Sequence, residues 1–123
     1  MGARFVKRKG LRQDRSVLES LNENEAFDRL LDEPFAVVFK HSATCGVSAR
    51  AHAEVEKFLL EHPARRIHKV EVLGAPAVSD YIEEKTGIRH ESPQLLVLRD
   101  GEVVWHGSHS RVTAEAIEAV DFD

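Results

Sequence analysis

Cysteine is almost missing from this chain of 123 residues, where Cys45 stands alone. A single thiol excludes an internal disulfide and fits a reducing compartment, so a cytoplasmic location is expected. Long apolar runs are missing as well. The runs that occur are short, as in Ala36-Val37-Val38-Phe39 and Leu95-Leu96-Val97-Leu98, far below the roughly 18 residues that span a bilayer. No apolar stretch follows the basic first residues, which argues against a secretory leader and leaves no membrane partner to expect. Glycine-rich phosphate loops, an H-E-x-x-H helix, internal repeats and low-complexity tracts do not occur. Aromatic and basic side chains do not alternate along any face, so nucleic acid is not expected as a partner.

What remains is the composition of one globular domain. The chain is 42% hydrophobic and 31% charged, and a domain of this length buries a core without covalent staples. The net charge of −4 is unevenly spread. Residues 1–15 carry Arg4, Lys7, Arg8, Lys9, Arg12 and Arg15 against Asp14, a balance of +5 that leaves −9 for the rest. Residues 1–15 are read as a basic, solvated and frayed N-terminal arm, and residues 16–123 as a single domain.

Hydrophobic spacing orders the elements. Val17, Leu18, Leu21, Phe27, Leu30 and Leu31 predict helix over 16–31, with Asn22 or Asn24 restarting it as an N-cap. Residues 35–40 read as a buried strand after Pro34. A loop bearing Cys45 leads to a helical stripe of Val47, Ala51, Val55, Phe58 and Leu59, stopped by Pro63. A strand over 67–73, a turn at Gly74-Ala75-Pro76 and a helix through Val78, Tyr81, Ile82 and Lys85 follow, with Gly87 suited to its end. Strands over 94–98 and 102–105 flank Arg99-Asp100-Gly101, a strong hairpin signal, and Thr113 caps a last helix through Ala116, Ile117 and Val120. The order α-β-α-β-α-β-β-α predicts an α/β domain, a mixed central sheet with helices on both faces. With a cysteine between the first strand and its helix, it is similar to the thioredoxin-like fold.

Cys45 falls where unpaired N–H groups and the dipole of a helix start favour a thiolate over a thiol. Gly46 leaves the sulfur approachable, Thr44 completes a polar loop, and Ser48 can donate to the thiolate without competing as a nucleophile. Lys40 and His41 are candidates to add positive potential. The competing reading, a small buried cysteine, fits a loop of Ser42, Thr44, Gly46 and Ser48 poorly. Pro93 directly precedes an apolar strand, where its peptide bond is a candidate for cis. Seven histidines (41, 52, 62, 68, 90, 106 and 109) raise a metal reading, but no spacing among them is diagnostic and no metal is expected. Trp105 is either a groove wall or a core anchor, and Arg111 is a candidate for a ligand carboxylate.

Three stretches go beyond the fold: "FKHSATCGVS" (39–48), "HESPQLLVLRDGEVVWHGSH" (90–109) and "SRVTAEAI" (110–117). They resemble the monothiol bacilliredoxins of the bacillithiol system over most of residues 35–115. The family's Thr-Cys-Pro-Ile-Ser is matched by Thr44–Ser48 except at Gly46 and Val47, and its Glu-Ser-Pro-Gln and Trp-His-x-Ser-His by residues 91–94 and 105–109. The glycine brings the loop near the Cys-Gly-Phe-Ser of monothiol glutaredoxins, but their Thr-Val-Pro and Gly-Gly-x-Asp are not found here. The resemblance implies a monothiol thiol-disulfide oxidoreductase of redox homeostasis and the stress response, with Cys45 as nucleophile. Its partners would be S-bacillithiolated client proteins, and bacillithiol, the low-molecular-weight thiol, would be a co-substrate, with no tightly bound cofactor. Pro93 would then lie beside Cys45, Ser92 would offer backbone groups to the substrate, and Trp105, His106 and His109 would line the thiol groove. Two alternatives remain open: a module holding an iron–sulfur cluster between two protomers, and a non-catalytic adaptor.

Overall fold

A computed structural model describes residues 17–120. The basic arm expected over residues 1–15 lies outside the described residues. The elements run β1 (Val17–Ser20), α1 (Asn24–Leu31), β2 (Phe35–His41), α2 (Gly46–Glu61), β3 (Arg66–Glu71), α3 (Pro76–Thr86), β4 (Gln94–Arg99), β5 (Glu102–Ser108), a 3-10 turn (His109–Arg111) and α4 (Ala114–Glu118). The five strands form one sheet in the order β1-β3-β2-β4-β5. β3 is parallel to β1 and β2, while β4 runs antiparallel to both β2 and β5. This is the expected α/β thioredoxin-like fold with a mixed sheet.

The pleat of β2 sorts its side chains. Val37 and Phe39 join Val55, Phe58, Leu59, Ile67 and Ile117 in a core under α2 and α4. Ala36 and Val38 join Phe27, Leu30, Val70 and Ile82 in a second core under α1 and α3. Phe39 is fully buried, and a side chain of that size contributes roughly 2–3 kcal/mol by leaving water. Among the described residues no helix is long and apolar enough to cross a membrane.

Residues 17–20 correct one expectation: they form a strand, not the start of a helix. Val17, Leu18 and Leu21 are spaced as on a helix, but β3 offers a free edge, and Leu18 pairs with Ile67 there. The helix begins only at Asn24, with Glu23 as N-cap and no side-chain capping bond. At the other end of the chain, β5 runs three residues past Trp105, because His106, Gly107 and Ser108 pair with Leu96, Leu95 and Gln94. β3 stops at Glu71, short of residue 73. α4 ends at Glu118, before Val120, with Thr113 Oγ1 accepting from the Ala116 N–H at 3.0 Å as its cap.

The Asp100-Gly101 hairpin forms with positive φ at both residues, 51° and 82°. A side chain at Gly101 would also meet the Leu31 carbonyl, its Cβ only 2.8 Å from that oxygen. The hairpin thereby seats against the end of α1.

Candidate active site

β2 delivers the chain to Cys45. Lys40 pairs with Gln94 across the antiparallel β2–β4 ladder, so Pro93 enters beside the strand end that leads to the cysteine. The Ser92–Pro93 peptide bond is cis. The Ser92 hydroxyl oxygen is buried with no hydrogen-bond partner among the described residues. Two elements thus meet at one end of the sheet: the start of α2 and the proline loop before β4.

Cys45 is the N-cap of α2, with extended backbone (φ −104°, ψ 127°) and no side-chain capping bond of its own. Its carbonyl accepts from the Ala49 N–H at 3.0 Å, and its N–H donates to the Ser42 carbonyl at 3.2 Å. The thiol is partly exposed. Its pKa is lowered, first by the Ser48 backbone N–H, then by that of Val47, with the Ser48 hydroxyl adding to them against a small opposing desolvation. These are the orphan donors of a helix start, pointed at a sulfur. No acidic side chain occupies the first turn of α2 to cancel the effect.

Ser48 has a second duty. It is fully buried, and its Oγ accepts from the Ser42 N–H at 3.2 Å, bracing the loop that carries the cysteine. Ser42 Oγ and Thr44 Oγ1 lie 3.5 Å apart, while Thr44 and Gly46 are exposed. Glu71 fastens the loop from the other side, its Oε1 accepting from the N–H groups of Ala43 at 3.2 Å and Leu73 at 3.4 Å.

The expected help from Lys40 and His41 does not reach the sulfur, since neither contributes to the shift of Cys45. The pleat turns Lys40 toward α3, where its Nζ donates to the Ser79 carbonyl at 3.1 Å and lies 3.2 Å from His90 Nδ1. Burial lowers its pKa to about 8 despite Glu83 and Asp80. His41 turns toward α2, its ring 5.5 Å from Phe39 and 4.8 Å from His52. Burial, then His52, lowers its pKa and keeps it neutral.

Around the proline loop, Trp105 and His106 part company. Trp105 pairs with Val97 and packs on the α2–α4 core, half-buried. Its indole lies across Gly107, where a Cβ would come within 2.7 Å of Cη2. His106 pairs with Leu96, so it projects on the opposite face, exposed. His109 takes a positive φ of 56°, donates its N–H to the Pro93 carbonyl at 2.9 Å and places Nδ1 3.4 Å from Glu91 Oε1. Arg111 is exposed on the same 3-10 turn.

Sequence reasoning passed over Glu91. The Ser108 hydroxyl first, then His109, Arg89 and His106, hold its carboxyl below the usual range. It thus ties the residue before Ser92 to the end of β5, and its only sequence signal was its place in "HESPQ". One group of potential metal ligands gathers among the described residues, Glu61, His62 and Glu118, with ligand atoms within 4.8 Å of one another. It sits at the far end of α2 from Cys45, a helix of 16 residues away.

Residues 17–117 match the family model described as monothiol bacilliredoxin BrxC. Among solved structures, a thioredoxin-fold protein assigned as an oxidoreductase aligns at 31% identity with a TM-score of 0.77, over 83% of this chain and 90% of that one. Mitochondrial thioredoxin 3 of Saccharomyces cerevisiae aligns at 18% identity and a TM-score of 0.64, over 82% and 90%. Thioredoxin of Trypanosoma brucei brucei aligns at 16% and 0.69, over 84% and 88%. The last two speak for the fold alone.

Proposed function

Since the chain belongs to the monothiol bacilliredoxin family, we propose that it removes bacillithiol from the capped cysteines of cytoplasmic client proteins. Its family and its fold are those of thiol-disulfide oxidoreductases. The finer reading rests on one observation: a lone, reachable Cys45 whose sulfur faces two backbone N–H groups of α2, with no second cysteine in the sequence.

In this reading the Cys45 thiolate attacks the bacillithiol sulfur of a client–S–S–bacillithiol disulfide. A bond forms from Cys45 Sγ to that sulfur, the old S–S bond breaks, and the electron pair leaves on the client sulfur, which is thereby reduced. The Val47 and Ser48 N–H groups stabilise the attacking thiolate and receive it again when Cys45 later departs. The backbone groups of Ser92, beside the cis-proline, align the client segment. Ser48 has no sulfur with which to displace the cap, so a free bacillithiol thiolate must attack capped Cys45. That step regenerates the Cys45 thiolate and releases oxidised bacillithiol. Bacillithiol is therefore a co-substrate and needs no resident cofactor.

Intact mass after mixing the protein with oxidised bacillithiol, and separately with oxidised glutathione, tests the reading. One bacillithiol adduct is expected, reversed by the free thiol and missing from Cys45→Ser. An adduct formed with glutathione alone would overturn the choice of thiol, and no adduct with either would overturn the enzyme.

A further inference from the structure

A groove of about 740 Å³ runs between α2 and the segment that joins β5 to α4, within the size range of small-molecule sites. Gly46, Val47, Arg50 and Glu54 line one side, and His109 and Val112 the other. Its position is the first clue. Val47, whose N–H faces the Cys45 sulfur, is also a wall of the groove. Cys45 directly precedes Gly46 and Val47 of that wall, so a group joined to its sulfur starts next to the groove. His109 in the opposite wall is bound to the Pro93 carbonyl, so the groove touches both elements of the reacting site.

The charges are the second clue. Glu54 is committed elsewhere, since its Oε1 accepts from the Ala114 N–H at 2.8 Å and so closes the start of α4. Arg50 is exposed and has no ion pair or hydrogen bond among the described residues. It stands one helical turn beyond Gly46 and Val47, on the same side of α2. Glu54 keeps its charge but is held at the start of α4, and Arg50 is the charged side chain of the groove left without a partner among the described residues. Its floor is apolar, with Ala51 and Val112 buried and Val47 46% exposed.

We propose that this groove holds the non-sulfur body of the small-thiol cap and that Arg50 binds a carboxylate of it, so that exchange at Cys45 favours anionic caps. This rests on the cap-exchange reading above and adds a residue that selects among caps. A guanidinium suits the task because its planar fork can hold a carboxylate through two hydrogen bonds. The chemistry is one exchange: Cys45 Sγ attacks a disulfide R–S–S–R, Cys45–S–S–R forms, and R–S⁻ leaves with the electron pair. No other oxidant is needed.

Two symmetrical disulfides probe the groove, oxidised mercaptosuccinate with two carboxylates on each half and the uncharged bis(2-hydroxyethyl) disulfide. The rate of Cys45 capping by each is followed by intact mass at about 0.15 M salt, where long-range attraction is screened. The ratio of the two rates, compared between variants, cancels the intrinsic reactivities of the disulfides. Arg50→Ala is expected to lower the anionic-to-neutral ratio about three- to tenfold, and Arg50→Lys to recover part of it. Lys57→Ala removes the same charge from an exposed site on the same helix, outside the groove, and is expected to leave the ratio alone. An unchanged ratio in Arg50→Ala, or an equal fall in Lys57→Ala, would overturn the subsite while cap exchange stands. If neither disulfide caps the wild-type protein, cap exchange falls and the subsite with it.

Discussion

Lys40 and His41 are neighbours in sequence, and both are basic residues, five and four positions before Cys45. The pleat sends them to opposite layers, and burial then treats them differently. Lys40 is wholly enclosed on the α3 side, yet it finds the Ser79 carbonyl and the His90 ring. His41 is enclosed on the α2 side, where its Nδ1 finds no partner and its ring lies tilted against those of Phe39 and His52. One is a cation held by acceptors, and the other is a neutral aromatic plate under the first turns of α2. Neither lends its charge to the thiolate. The site relies instead on dipoles fixed in the backbone, which are present at every pH and need no neighbouring cation to be protonated.

The largest effect in this comparison belongs to Lys40. Lys40→Ala leaves the Ser79 carbonyl without its donor and opens a cavity, and should cost about 3 kcal/mol in chemical denaturation. Lys40→Met fills the space and should recover roughly half of that. The lysine also carries a pH signature. Its folded pKa is lowered from 10.5 to about 8, so between those values the unfolded chain holds a proton that the folded chain has released. Stability should then rise with pH across that window, with the full burial penalty present below pH 8. The gap between wild type and Lys40→Met should therefore widen from pH 7 to pH 10. Tyr81, pushed up to about 12 by its bond to Asp28, titrates alike in both proteins and cancels. A constant gap would mean that Lys40 is not desolvated.

Ser48 should show the next effect, and it separates the backbone account of the thiolate from a charge account. Ser48→Ala leaves the buried Ser42 N–H without its acceptor, at a cost of about 1–2 kcal/mol. It also removes the smallest of the three groups that lower the Cys45 pKa, while the Val47 and Ser48 N–H groups remain. The alkylation rate of Cys45 against pH should shift upward in midpoint, but not to that of a free thiol. Lys40→Met should leave the midpoint where it is. An equal upward shift in both variants would return the cation to the mechanism.

How much of this could be read from the residues depends on how local the cause is. β2, α2 and the Asp100-Gly101 hairpin were legible because a period or a turn chemistry repeats within a few residues. Residues 17–20 were not, since Val17, Leu18 and Leu21 are spaced as on a helix, and only the distant β3 edge makes a strand of them. β5 outran its expected end because His106, Gly107 and Ser108 have no strand preference of their own and are drawn in by β4. At the site, Cys45, Ser48 and Pro93 were legible from residue type and place. The bond from Glu54 to Ala114 and the ties of Glu91 were not, because they join segments many residues apart. The opposite headings of Lys40 and His41 follow from alternation begun at Val37 and Val38, a rule that extends unchanged to the strand's last residues.

His41 should give the smallest effect, and its direction opposes ordinary expectation for a basic residue near an anion. If the ring serves as a neutral plate, His41→Phe keeps the ring contacts with Phe39 and His52 and removes an unpaired Nδ1 together with a bond to the Ser48 backbone. Stability at pH 7 should change by less than about 1 kcal/mol. The two proteins should separate on acidification. Burial lowers the folded pKa of His41 below 6.5, so as pH falls past 6.5 the unfolded chain takes up a proton that the folded chain refuses. Wild type should therefore lose stability with falling pH faster than His41→Phe, as chemical denaturation between pH 7 and pH 5 would reveal. The opposite slope, with wild type the better preserved in acid, would make His41 a cation stabilised in the fold. It would then stand with Lys40 as a charge placed on purpose, and a thiolate held by backbone dipoles alone would no longer explain why the strand carries both.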